Sequence, residues 1–235
     1  MDLDFVGVSE LEKGTIESVS TQFIQEGIFQ AREKSWSILH KICSELKEGI
    51  TEDEARKLAQ KICRDHGILK HWHRPYIRLG AGTALTFHDP MQTEYRLQPG
   101  DPYYVDLGPI IPDPGLQLEY EGDVGDTFVY GENKEAEKLA GAARELFRLG
   151  KEMWRTEKLS GAELYRFLKE RTSDLGYTLV EKVDGHRLSD FPHHKYTKER
   201  LAHVKFHPTK CLWVLELQIL HPTQKMGAFY EDLLF

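Results

Sequence analysis

Cysteine is scarce in this 235-residue chain: Cys43, Cys63 and Cys211 are its three, far apart and in no Cys-x-x-Cys pair. That excludes a disulfide scaffold and a cysteine-based zinc module, and leaves the thiols as small core residues in a reducing compartment. No apolar run approaches the roughly 20 residues of a membrane span. The acidic start MDLDFVGVSELEKG also lacks a basic-then-apolar targeting pattern. A cytoplasmic protein without a membrane partner is therefore expected. Excess positive charge is missing too: the formal net charge is −7, a poor match for a phosphate backbone, so nucleic acid is set aside as a partner. What is present is 40% hydrophobic and 29% charged residues of both signs, enough apolar material for a real core in one globular domain.

Residues 1–15 show no period and read as an extended lead-in. A helical pattern runs from Ile16 to Glu48, with Ile28, Ala31, Ser35, Ile38, Ile42 and Leu46 on one face, and Gly49 ends it. Thr51 and Glu54 form a capping box for a second helix that closes at Gly67. A short strand, Tyr76 to Leu79, leads into a Gly-Ala-Gly loop and His88. Past Pro99-Gly100, a strand carrying Asp106 and another from Asp126 to Tyr130 make a hairpin that brings Asp123 back beside Asp106. Helical patterns resume at 134–155 and after the Ser160/Glu163 capping box, closing at Gly176. An offset of 109 residues matches Thr51 with Ser160, Glu54 with Glu163, Leu58 with Phe167 and Gly67 with Gly176, which predicts two related halves, about 16–131 and 132–235. The second half continues with a strand from Thr178 to Val183, His186, a polar loop from Ser189 to His207 that reads as a lid or insertion, and strands at 212–220 and 229–235.

The anomaly is acid inside apolar strands: Asp106 in YYVDLGP, Glu216 in LWVLELQIL and Glu231 in FYEDLLF. A carboxylate there is costly unless something pairs with it. A single such residue is usually held by an arginine or an edge amide, but no matching number of basic residues stands near these. Carboxylates held close also raise each other's pKa unless a cation sits between them. A metal site is the hypothesis.

Asp106, Asp123, His186, Glu216 and Glu231, in this order and in these local contexts, resemble the metallopeptidase family of methionine aminopeptidases, Xaa-Pro aminopeptidases, prolidases and creatinase. YYVDLGP, GDVGDTFVYG, DGH, WVLELQI and GAFYEDLLF are the motifs, and the likeness runs from about Ile16 to Phe235. The resemblance implies the α+β pita-bread fold, two pseudo-symmetric αβ halves around a curved antiparallel sheet, forming one catalytic domain. It implies two divalent ions, one chelated by Asp106, the other by His186 and Glu216, with Asp123 and Glu231 bridging. Four carboxylates balance two divalent ions in charge, and an oxygen-rich set with one imidazole suits Mn, Co, Fe or Zn. His88 and His193 fall at the family's substrate-side histidines, with His194 as the alternative to His193, and Glu216 doubles as a proton shuttle. His71 and His73 read as solvent-facing or pocket-wall residues.

The sequence departs from the family in places. Arg187, Leu188 and Ser189 stand where small, glycine-rich residues usually follow the histidine, which makes Arg187 a candidate for narrowing the pocket or for binding a substrate carboxylate. No acid follows the second histidine. The loop between Asp106 and Asp123 is long, with Pro112, Pro114 and Gly115, and keeps Glu119 and Glu121 open as alternative second ligands. VDLGP and the YED ending lean toward Xaa-Pro enzymes, without their separate N-terminal domain, so a free-standing catalytic domain is expected. The resulting expectation is a metal-dependent aminopeptidase or dipeptidase acting on peptides. The alternatives are a non-catalytic binding protein of this fold and a creatinase-like hydrolase of a non-peptide C–N bond; a homodimer is an open option.

Overall fold

The computed structural model describes residues 13–113, 115 and 118–235. Most of the expected lead-in, and Pro114 of the long loop, lie outside the described residues. The chain begins with a short helix α1 (Lys13–Ile16), followed by α2 (Gln25–Glu45). The single helix expected from residue 16 to 48 is thus interrupted over 17–24. The interruption contains Ser18, Ser20 and Thr21, side chains that compete for backbone groups, and the Ser18 hydroxyl donates to the Gly14 carbonyl at 2.7 Å.

Helix α3 (Glu52–Asp65) starts at a reciprocal capping box between Thr51 and Glu54. The chain then forms β1 (Lys70–His71), β2 (Tyr76–Leu79), β3 (Pro102–Leu107), β4 (Pro109–Pro112), β5 (Glu119–Glu121) and β6 (Val124–Val129). Helix α4 (Lys134–Glu157) is capped by the Asn133 side chain, and α5 (Gly161–Asp174) by a second reciprocal box, Ser160 with Glu163. Gly67 and Gly176, matched by the 109-residue offset, both take left-handed backbone beyond their helices, at φ 77° and 80°. Strands β7 (Thr178–Leu179), β8 (His186–Arg187), β9 (Trp213–Leu220) and β10 (Gly227–Leu233) complete the chain.

One antiparallel sheet runs β2-β3-β6-β10-β9-β7, with β8 also paired to β9. The expected hairpin of β3 and β6 forms, but its connection is not a simple loop: β4 and β5 leave the main sheet and build a second, three-stranded one with β1. Alternation along the strands separates two faces. On β9, Leu215, Leu217 and Ile219 pack with Leu139 and Leu146 of α4 and Leu164 and Leu168 of α5. On β2 and β3, Ile77 and Val105 pack with Ile38 and Ile42 of α2 and Ala55 and Ala59 of α3. Each helix pair therefore covers its own core, and the intervening residues, Asp106 and Glu216 among them, face the other way. Cys63 and Cys211 are buried in the second of these cores. Among the described residues no helix is long and apolar enough to cross a membrane.

Candidate metal centre

The strand register builds the site. Asp106 lies opposite Gly125, Gly125 opposite Glu231, and Glu231 opposite Glu216, one row across four strands. Residues directly opposite in an antiparallel ladder project from the same face, so the row aims three carboxyl groups at one space. Gly125 leaves the gap in the row: a Cβ there would run into the Phe229 ring of β10. Asp123 comes two residues before Gly125 and joins the same face. His186 lies opposite Val214, two residues from Glu216, and faces the same way. These residues line one cavity of about 180 Å³, with Trp72, His73, Tyr76, Phe87 and Arg200 as its remaining wall.

Asp123 is the hub. The His186 Nε2 is 2.7 Å from its Oδ2 and 3.5 Å from Glu231 Oε1, while the His73 Nε2 is 3.3 Å from Asp123 Oδ1 and 3.4 Å from Asp106 Oδ1. Two groups, His73 with Asp106 and Asp123, and Asp123 with His186 and Glu231, each bring their donor atoms within 4.8 Å of one another. Burial pushes Asp106 up to about 7, against the pull of His73 and with the repulsion of Asp123 and Glu216. Glu216 is likewise raised to about 7 by burial, His186 opposing and Asp123 adding, and Glu231 is raised by burial and its acidic neighbours. Burial acts on Asp123 as well, but the two imidazoles outweigh it and hold that carboxyl below its usual range. Asp106 Oδ1 is buried and accepts no hydrogen bond. Such an orphaned oxygen in a crowd of carboxylates fits a divalent cation, which would satisfy both the lone pair and the charge.

Of the other candidates, His193 is buried, its ring stacked 5.6 Å from that of His186. Glu121 holds it through Nδ1 at 2.8 Å and through its backbone N–H at 2.9 Å, and also accepts from the Ser189 N–H at 3.1 Å. That explains how a loop histidine is fixed: Ser189, Asp190 and His193 pack inward, so this stretch of the expected lid is anchored structure. Glu121 and Glu119 do not line the cavity; Glu119 reaches the Lys70 ammonium at 2.6 Å. His88 is exposed, its ring tilted against that of Phe87 with centroids 4.1 Å apart, and it is Phe87 that lines the cavity. Arg187 neither narrows the pocket nor faces it. Its buried guanidinium donates to the carbonyls of Ile16 and Ser18, tying down the segment before α2. The cation in the wall is Arg200, and the imidazole read only as a wall or solvent residue, His73, stands at the centre.

The model of metallopeptidase family M24 matches residues 26–235, and the chain belongs to that family. The fold is the pita-bread fold of its structural neighbours. An X-Pro aminopeptidase from Thermotoga maritima MSB8 superposes with a TM-score of 0.70 at 17% identity, over 88% of this chain and 56% of that one. A prolidase from Pyrococcus furiosus gives 0.71 at 19%, over 94% and 63%. A methionine aminopeptidase from Thermotoga maritima gives 0.64 at 13%, over 92% and 93%. The chain thus spans less than two thirds of the first two and nearly all of the third. No curated protein sequence matches it.

Proposed function

We propose that this chain is a hydrolase with two divalent metal ions that removes an N-terminal residue from a short peptide, as an Xaa-Pro aminopeptidase or a dipeptidase. The observation that carries the reading is the row Asp106, Glu231 and Glu216 with Asp123 and His186 around one cavity, where the buried Asp106 Oδ1 accepts no hydrogen bond. In this reading Asp106 would hold one ion, His186 and Glu216 the other, and Asp123 and Glu231 would be shared ligands. Divalent ions held there would supply Lewis-acid polarisation of the scissile carbonyl and a nucleophile at neutral pH; Mn, Co, Fe and Zn all suit the donors.

The chain's own residues do the rest. Glu216 accepts a proton as the carbonyl is attacked and returns it to the leaving amine nitrogen. Burial raises the Glu121 carboxyl to about 7, and when it holds the proton shared with His193 Nδ1, His193 carries an Nε2–H to donate to the oxygen that gains charge. His88, beside Phe87, meets the substrate from outside the wall. Trp72, Tyr76 and Phe87 offer apolar surface to a side chain or a prolyl ring. Arg200, 3.7 Å from Asp184 and part-exposed, offers a cation to a terminal carboxylate, which favours free dipeptides.

The test couples elemental analysis to a substrate panel of free dipeptides, their C-terminal amides, Xaa-Pro peptides and creatine-like compounds. The expected result is about two equivalents of metal and peptide hydrolysis that prefers free carboxylates. Metal without peptide hydrolysis but with turnover of a creatine-like compound would assign the site to a non-peptide C–N bond. Less than about one equivalent, with no turnover of anything, would leave a binding protein of this fold.

A further inference from the structure

We propose that His73 is itself a metal ligand, its Nε2 completing with Asp106 and Asp123 the site of one ion, so that each ion has an imidazole of its own. The assignment rests on the two-metal reading above and deepens it.

The geometry of His73 parallels that of His186. Each ring presents Nε2 to one oxygen of Asp123, His73 to Oδ1 and His186 to Oδ2. Each engages Nδ1 with the carbonyl of the following residue, Arg74 at 2.8 Å and Arg187 at 2.7 Å. An Nδ1–H donated to a carbonyl fixes the tautomer whose Nε2 lone pair points the other way, as a ligating imidazole requires.

The backbone around the ring is built for this approach. The Trp72 N–H donates to the Gly108 carbonyl at 3.0 Å, and its indole Nε1–H donates to the Gly122 carbonyl at 3.1 Å. The pair Trp72-His73 is thereby clamped to residues adjoining Asp106 and Asp123. A Cβ on Gly108 would run into both the His73 imidazole and the Trp72 indole nitrogen, so glycine at this position is what admits the ring. Asp106 Oδ1, although 3.4 Å from His73 Nε2, is buried without a hydrogen bond.

Charge decides between the two roles His73 could play. Four carboxylates already balance two divalent ions. A neutral imidazole adds a donor and leaves that balance intact, whereas an imidazolium would set a positive charge against the ion. Nitrogen at both ions also moves preference from magnesium toward cobalt or zinc.

The experiment loads the full chain with cobalt(II), follows binding by calorimetry, and records paramagnetically shifted exchangeable imidazole N–H signals by NMR. Wild type is expected to bind two ions and to show two such signals, one from each Nδ1–H. His73→Ala and His73→Gln are expected to show one signal and to bind the weaker ion more than about 100-fold less tightly, beyond what loss of an outer partner costs. Gln keeps the bulk and a donor toward the carboxylates. If Gln restored wild-type affinity, or wild type showed one signal with two ions bound, His73 would be a positioning residue and the assignment would fail alone. Wild-type protein that takes up no cobalt would overturn the two-metal reading along with it.

Discussion

Glu231 and Asp232 are adjacent on β10 and meet opposite surroundings. Asp232 faces the helices, where the Arg32 Nε donates to it at 2.6 Å. Glu231 faces the cavity, and its ion-pair partner among the described residues is His186, at 3.5 Å. The same division separates Asp126, gripped by the Arg144 Nε at 2.9 Å, from Asp123 three residues earlier, whose ion-pair partners among the described residues are His73 and His186. Glu52 is the extreme of the first kind. It is wholly buried, paired with Arg78 at 3.3 Å, and it accepts from the backbone N–H groups of Leu79 and Gln92. Arg78 in turn donates to the carbonyls of Thr86, Asp89 and Pro90. Asp232, Asp126 and Glu52 each carry a guanidinium from within the chain, whereas the ion-pair partners of Asp106, Asp123 and Glu231 among the described residues are imidazoles.

Substitutions should break the two kinds differently. The largest effect is expected from Glu231→Ala, which should lower peptide hydrolysis by roughly 10⁴-fold, the scale of losing one member of a catalytic unit, and reduce bound metal while the protein stays folded. Hydrolysis and metal content that survive the change would place Glu231 with the structural acids. Arg78→Ala should act in reverse, costing about 3–5 kcal/mol in denaturant unfolding because Glu52 is left buried and unpaired, with metal stoichiometry unchanged in whatever folds. A smaller, reversible effect is expected from metal itself. Saturation to about 100 times Kd should raise stability by about 2.7 kcal/mol per site, seen as a chelator-sensitive rise in Tm. A Tm indifferent to chelator and to added cobalt would mean that the cavity acids are satisfied without ions.

Much of this organisation is legible in the chain. Asp106, Glu216 and Glu231 announce themselves because a carboxyl between apolar neighbours on a strand must face away from the core. The capping boxes at Thr51 and Ser160 mark where α3 and α5 start, since their hydrogen bonds are local. His73 carries no such mark. It sits in HWHRP, outside any period, and reaches Asp106 only because β2 pairs with β3, Tyr76 opposite Asp106, and Gly108 leaves room. Arg187 and Arg200 could not be told apart in sequence: both are basic residues near His186, and only packing turns the first toward Ile16 and the second toward the cavity. The break between α1 and α2 was hidden by an apolar pattern that continues through residues no longer helical.

The sequence by itself determined which residues are anomalous, where helices begin, and the family to which the motifs belong, because each of these depends on neighbours a few positions apart. Tertiary structure alone decided which acids share a cavity and which are neutralised by arginine, where His73 lies, and that Glu121 serves His193. Those outcomes depend on strand register and side-chain packing between segments 50 to 200 residues apart, such as Arg32 with Asp232 and His73 with Asp123, and a charge's cost is set by what surrounds it in space.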